Sequence, residues 1–165
     1  MKKIVVLGLV LLLVASSTGF SQNIPLPKDI EIKAPSPGLP KEIAAFSGKW
    51  KGKWEGKVDF ILVVTEIDSQ KAKIIYATSE SKLLTSQGVW SDDPAYCIYE
   101  KGEIVSSRGK FQIQFQGKAR QAGDSVISPW FNFEMQKDLK SIKGILEYKF
   151  PWTQYTFKST LEKIE

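Results

Sequence analysis

The sequence predicts an all-β protein: a single antiparallel meander of about eight strands closing into a barrel, with one short N-terminal helix. Three observations carry this. Apolar and polar residues alternate with period two from Gly48 onward, the pattern of strands wet on one face and buried on the other. Aromatic residues make up 12 % of the chain, including five Trp and nine Phe, enough to fill a β core. Turn residues punctuate the apolar runs at short intervals, with little helical periodicity between them. At 165 residues there is room for one domain.

Residues 1–21 read as a secretory signal peptide. Lys2 and Lys3 form a basic start, Ile4 to Ala15 is uncharged and apolar, and Ser16 to Gly19 are small. The apolar run falls well short of the ~20 residues that span a bilayer. Cleavage near Ser21 fits, with Ser17 as the alternative. No cysteine stands there for lipidation, so the expected product is an exported soluble protein without a stable membrane anchor. Losing Lys2 and Lys3 lowers the net charge from +5 to +3.

Residues 22–40 hold five of the eight prolines, Pro25, Pro27, Pro35, Pro37 and Pro40. Proline lacks an N–H and resists sheet interiors, so an extended tether is expected. A strap across the barrel, anchored by Ile30 and Ile32, is the alternative. The barrel domain follows over residues 41–165. Pro40 to Phe46 suits a turn or two of helix, with Pro40 at its first position and Gly48 ending it.

The first strand places Trp50, Gly52, Trp54 and Gly56 on one face and Lys49, Lys51, Lys53 and Glu55 on the other. Val58–Ile67 is apolar on both faces. Ala72–Thr78, Tyr96–Val105, Lys110–Gln116, Val126–Met135, Ser141–Phe150 and Tyr155–Leu161 complete the set. Phe111, Ile113 and Phe115 point inward, as do Tyr148, Tyr155 and Phe157. A sheet of this length with an aromatic face tends to close, which removes its edges.

Composition excludes much chemistry. Histidine is absent and Cys97 is the lone cysteine, so no Ser-His-Asp triad, Cys-His dyad, histidine-bound zinc or internal disulfide can form. No phosphate loop is present. Asp92-Asp93 precedes Pro94 as turn chemistry, without a calcium-loop pattern. Glu100 and Glu103 lack a nucleophile nearby. The chain therefore reads as non-enzymatic and without a cofactor. Only Arg108 and Arg120 supply guanidinium, and the charge is only mildly basic, so nucleic acid is not an expected partner.

The stretch Phe46-Ser47-Gly48-Lys49-Trp50-Lys51-Gly52-Lys53-Trp54 resembles the opening of lipocalins and other calycins, where a short helix leads into a strand bearing G-x-W. More closely, the chain is similar to small exported bacterial lipocalin-like barrels of uncertain function. Those open with F-x-G-x-W-x-G-x-W, continue into an apolar strand (here Phe60 to Ile67), and end on a strand like Lys143 to Glu147 and a tail like Thr160-Leu161-Glu162-Lys163-Ile164. The resemblance spans residues 44–165. It implies a basic residue packed over the G-x-W tryptophan, for which Lys158 is the nearest candidate.

Two functions follow as expectations. The first is binding of a small apolar or amphipathic ligand, with Trp50, Trp54, Trp90, Trp130 and Tyr148 as the ligand-binding residues. Gly52 would leave space on the face of the two first-strand tryptophans. Trp90, Trp130 and Trp152 lie near turns, where aromatics meet apolar ligands or sugars at a barrel mouth. The second is a protein-binding module. Bacterial metalloprotease inhibitors, which such barrels resemble, insert an N-terminal segment into the enzyme's cleft, and the Pro-rich segment offers one. The disulfide usual there cannot form.

Overall fold

A computed structural model describes residues 24–55, 58–79, 96–118, 120–122 and 125–164. Residues 1–21, read above as a signal peptide, and Trp90 and Asp92-Asp93 lie outside these. The helix α1 (Lys41–Ala44) precedes ten strands among the described residues: β1 (Gly48–Trp54), β2 (Val58–Ile67), β3 (Lys71–Thr78), β4 (Tyr96–Ser107), β5 (Lys110–Gln116), β6 (Arg120–Ala122), β7 (Ser125–Ile127), β8 (Trp130–Met135), β9 (Ser141–Lys149) and β10 (Gln154–Lys163). Eight of them form a closed antiparallel barrel in the order β1-β10-β9-β8-β5-β4-β3-β2. β6 and β7 make a separate hairpin between β5 and β8. The expected meander and its closure are both present.

Alternation sets the inside of the barrel. β9 buries Ile142, Gly144, Leu146 and Tyr148 and turns the residues between them outward. β8 does the same with Phe131, Phe133 and Met135. The sequence reading runs β8 back to Val126 without a break. The structure instead interrupts it at Ser128-Pro129, because proline cannot donate to a ladder. Gly117 N–H bonds to the Pro129 carbonyl at 2.7 Å, holding the two sides of the hairpin together.

The two ends of the barrel differ. At one end sit α1 and the short turns β2–β3, β4–β5 and β8–β9. The other carries the turns β1–β2 and β9–β10 and the β6–β7 hairpin. These are called the helix end and the loop end. The helix lies at residues 41–44, behind the Pro-rich segment. Pro40 is its N-cap residue, in an extended conformation, and the Pro40 carbonyl accepts from Ile43 and Ala44 N–H. Gly48 does not end the helix. With φ of 120° it starts β1, in backbone space that disfavours other residues.

The Pro-rich segment is bonded to the barrel as a strap, and does not hang free as a tether. β1 begins opposite Val64, so the last residues of β2 have no β1 partner. The strap takes that place: Lys33 N–H donates to the Thr65 carbonyl at 2.8 Å and Ser36 N–H to that of Ile67 at 3.3 Å. The Lys33 ammonium meets the Glu66 carboxylate at 2.9 Å. Ile30 and Ile32 are half-buried, and Ile24 is buried. Close to this attachment Val63 and Ile75, outward by alternation, are buried as well.

Candidate functional site

The barrel interior is the candidate site, and its content follows from where each aromatic sits. Trp50 lies on β1 between outward Lys49 and Lys51, toward the helix end, and is fully buried. Its indole N–H donates to the Phe46 carbonyl at 2.7 Å, tying the helix exit to the first strand. The register pairs Trp50 with Lys163 of β10. The Lys163 ammonium stands 5.2 Å from the centroid of the indole and donates to the Ala45 carbonyl at 3.3 Å. Partial desolvation lowers its pKa. A cation over a tryptophan face is attracted by the ring quadrupole, more strongly as water is excluded. The basic residue over the tryptophan is thus Lys163 and not Lys158. The latter bonds through its backbone to Glu55: its N–H donates to the carboxylate, and its carbonyl accepts from Glu55 N–H.

Trp54, four residues on, reaches into the middle of the barrel. It stacks on Phe60 with centroids 4.4 Å apart and planes 10° from parallel. Its indole N–H donates to the Tyr76 hydroxyl at 2.8 Å, which satisfies both polar atoms in an apolar setting. Phe131, Phe133 and Phe115 complete a contiguous six-ring cluster. Within it, Phe115 stacks on Phe131 and Tyr76 meets the same ring, each at 4.7 Å between centroids.

The glycines on the inner face admit these rings. A methyl group on Gly144 would stand 3.0 Å from Phe133 and 3.1 Å from the far edge of Trp54. One on Gly52 would come within 2.7 Å of the Phe60 ring and 2.9 Å of Leu161. The space expected beside Gly52 is therefore occupied by Phe60. The interior from Trp50 to Tyr76 is an aromatic plug.

The five expected ligand residues do not form one site. Trp50 seals the helix end and Trp54 is part of the plug. Tyr148 is on the inner wall of β9 toward the loop end, where it meets Phe157 edge-on at 6.2 Å. Trp130 falls on the outer face of β8, 37 % exposed, since Phe131 takes the inward place. Trp90 lies outside the described residues. At the tip of the β9–β10 turn Trp152 is 71 % exposed and rests against Phe150.

Phe60, Tyr76, Phe115, Phe131 and Phe133, absent from that expected set, supply most of the plug. Alternation points Phe115, Phe131 and Phe133 inward, whereas Phe60 and Tyr76 stand in strands apolar on both faces and carry no such signal. The bond between Trp54 and Tyr76 crosses strands and has no local signal in the sequence.

Thr65 and Ser79 are the only buried polar or charged residues among those described, and both donate to backbone carbonyls. No group of three or more His, Cys, Asp or Glu among the described residues is placed to hold a metal ion. The interior that these described residues form is apolar. Compared with family models, curated proteins and solved structures, the chain matches none.

Proposed function

We propose that this chain is an exported, non-enzymatic binding barrel of calycin type. Its ligand is a small apolar or amphipathic molecule held at the loop end, above the aromatic plug. The observation that carries this reading is the asymmetry of the barrel. Phe46, Trp50 and Lys163 close the helix end, and the six rings fill the middle. Beyond them the inner wall continues with Tyr148, Phe157 and Tyr155, apolar residues of the same core, whose side chains would part to admit such a ligand. The G-x-W strand, the entry helix and the cation over Trp50 support the calycin-type assignment together.

The protein-binding alternative has less support. Residues 33–36 are bonded to β2, so the part of the Pro-rich segment available to enter a partner's cleft would be the stretch before Lys33.

Native mass spectrometry of protein from its own host tests the reading. A co-purifying lipid-sized mass is expected, and a fluorescent fatty-acid probe should bind saturably and compete with it. Tyr148→Ala should weaken probe binding while Trp130→Ala leaves it unchanged. Purified protein that carries no small molecule and binds no probe would overturn the proposal. A co-purifying protein lost on deleting residues 22–32 would establish the alternative.

A further inference from the structure

A second candidate site lies outside the barrel, independent of what the interior holds. At the helix end a groove of about 750 Å³ runs between α1, the β4–β5 turn and the β8–β9 loop. That volume is typical of ligand sites. Phe111 and Leu139 give it an apolar floor. Lys41, Arg108, Lys137 and Lys143 line it, and none of the four forms an ion pair among the described residues.

Two of its three acids are already engaged. Glu134 accepts from Lys110 at 2.9 Å and from the side-chain amides of Gln112 and Gln136. Asp138 accepts from the backbone N–H groups of Lys140 and Ser141 and from the Ser141 hydroxyl. Lys110 offsets Glu134, whereas the donors to Asp138 are neutral and leave its charge in place. Glu42 and Asp138 thus offset two of the four remaining cations, and the groove keeps a net charge of +2. The groove presents positive charge over an apolar base.

From this groove the outer face of β8 leads toward the loop end through Glu134, Asn132 and Trp130. The register flanks these with Gln112, Gln114 and Gln116 on β5 and with Lys143, Ile145 and Glu147 on β9. The Gln114 amide donates to Gln112, which donates to Glu134, so Gln112 and Gln114 are held in place. Trp130 closes the row as a partly exposed ring. At ~3.3 Å per residue it stands about 13 Å from Glu134, the reach of roughly two or three linked sugar rings.

Fixed amides beside an exposed indole suit a sugar, whose C–H face stacks on the ring while its hydroxyls bond to the amides. We propose that the outer face of β8, from Trp130 to the basic groove at the helix end, binds an acidic oligosaccharide. Its rings lie along the strand and its acid groups meet Arg108, Lys41, Lys137 and Lys143.

Titration of the full-length mature protein with polygalacturonate oligomers, with dextran oligomers of equal length as the neutral control, tests this. Polygalacturonate is expected to bind at low salt and to weaken as salt rises. Trp130→Ala should cost about tenfold in affinity, as loss of an aromatic anchor does, with Trp130→Phe restoring most of it. The pair Arg108→Glu and Lys143→Glu should abolish binding, with the thermal midpoint of each variant reported alongside. Dextran bound as tightly as polygalacturonate would overturn the proposal, as would the absence of polygalacturonate binding at low salt. Poly-glutamate bound as tightly, indifferent to Trp130→Ala, would mark the groove as a site for acidic peptides and overturn it too.

Discussion

Trp50 holds three parts of the chain at once: the helix exit through the Phe46 carbonyl, the first strand it belongs to, and Lys163 of the last. Truncating a large buried aromatic costs about 3–5 kcal/mol, from lost transfer energy and the cavity left behind. Trp50→Ala should therefore lower the denaturant midpoint sharply, while exposed Lys51→Ala hardly moves it. The reverse order in a denaturant titration would mean a register slipped by one residue.

Asn132 predicts the opposite sign. Its side-chain oxygen is buried with no hydrogen-bond partner. An unmet buried acceptor costs about 1–3 kcal/mol, and asparagine is a poor strand former. Asn132→Val should leave stability unchanged or raise it by about 1 kcal/mol. A midpoint that falls instead would show that the oxygen does have a partner in solution. Inward and outward places were legible at this scale because alternation is local. The identity of the cation over Trp50 was not, because it depends on how β10 meets β1 across the closed barrel.

Elements are shaped by what they exclude. Gly52 and Gly144 are small because rings from other strands pass over them, which no local pattern announces. Gly52→Ala should cost about 1–3 kcal/mol by overpacking against Phe60 and Leu161, seen as a lower unfolding midpoint with the barrel's circular dichroism retained. An unchanged midpoint would mean that the interior has slack.

The strap depends on pH. The hydrogen bond from Lys33, with the charge of Lys33 and Lys73 adding to it, outweighs desolvation and holds the Glu66 carboxyl below its ordinary value. That contribution is complete above the unfolded carboxylate pKa and is lost as pH falls through the lowered one. The same bond raises Lys33, so its share is lost only in strong alkali. Protection of the Lys33 amide, corrected for intrinsic exchange, should fall between pH 7 and pH 3. Glu66→Gln should show the loss already at pH 7. Equal protection at both pH values would leave the backbone bonds as the sole tie. Both fates of this segment, tether or strap, fit its prolines. The unpaired end of β2 decided between them, and that vacancy exists only once β1 is in place.

For the whole molecule, eight strands in meander order were readable from turns and alternation, and closure followed from the aromatic inner face. The division of the interior was not readable. Five tryptophans look alike in a sequence, yet one seals the helix end, one plugs the middle and one lies outside on the sheet. Inwardness comes from local period, whereas depth along the barrel axis comes from strand tilt and stagger. The candidate site therefore moved from the first-strand tryptophans to the loop end.

The barrel is shut by the seam between its first and last strands. The regular ladder between β1 and β10 has three pairs, Trp50 to Gly52 against Leu161 to Lys163, extended by backbone bonds from Ile164 to Lys49 and from Glu55 to Lys158, while β9 and β10 share nine pairs. The strands that meet there lie more than a hundred residues apart in the chain. Contacts of such long range are slow to form because loop-closure entropy must be met first. Until Leu161 to Lys163 arrive, the nascent sheet carries two bare edges and a row of uncovered rings, the surface on which chains pair with one another. The yield of closed barrel then hinges on those last few residues finding their place, however stable the finished barrel.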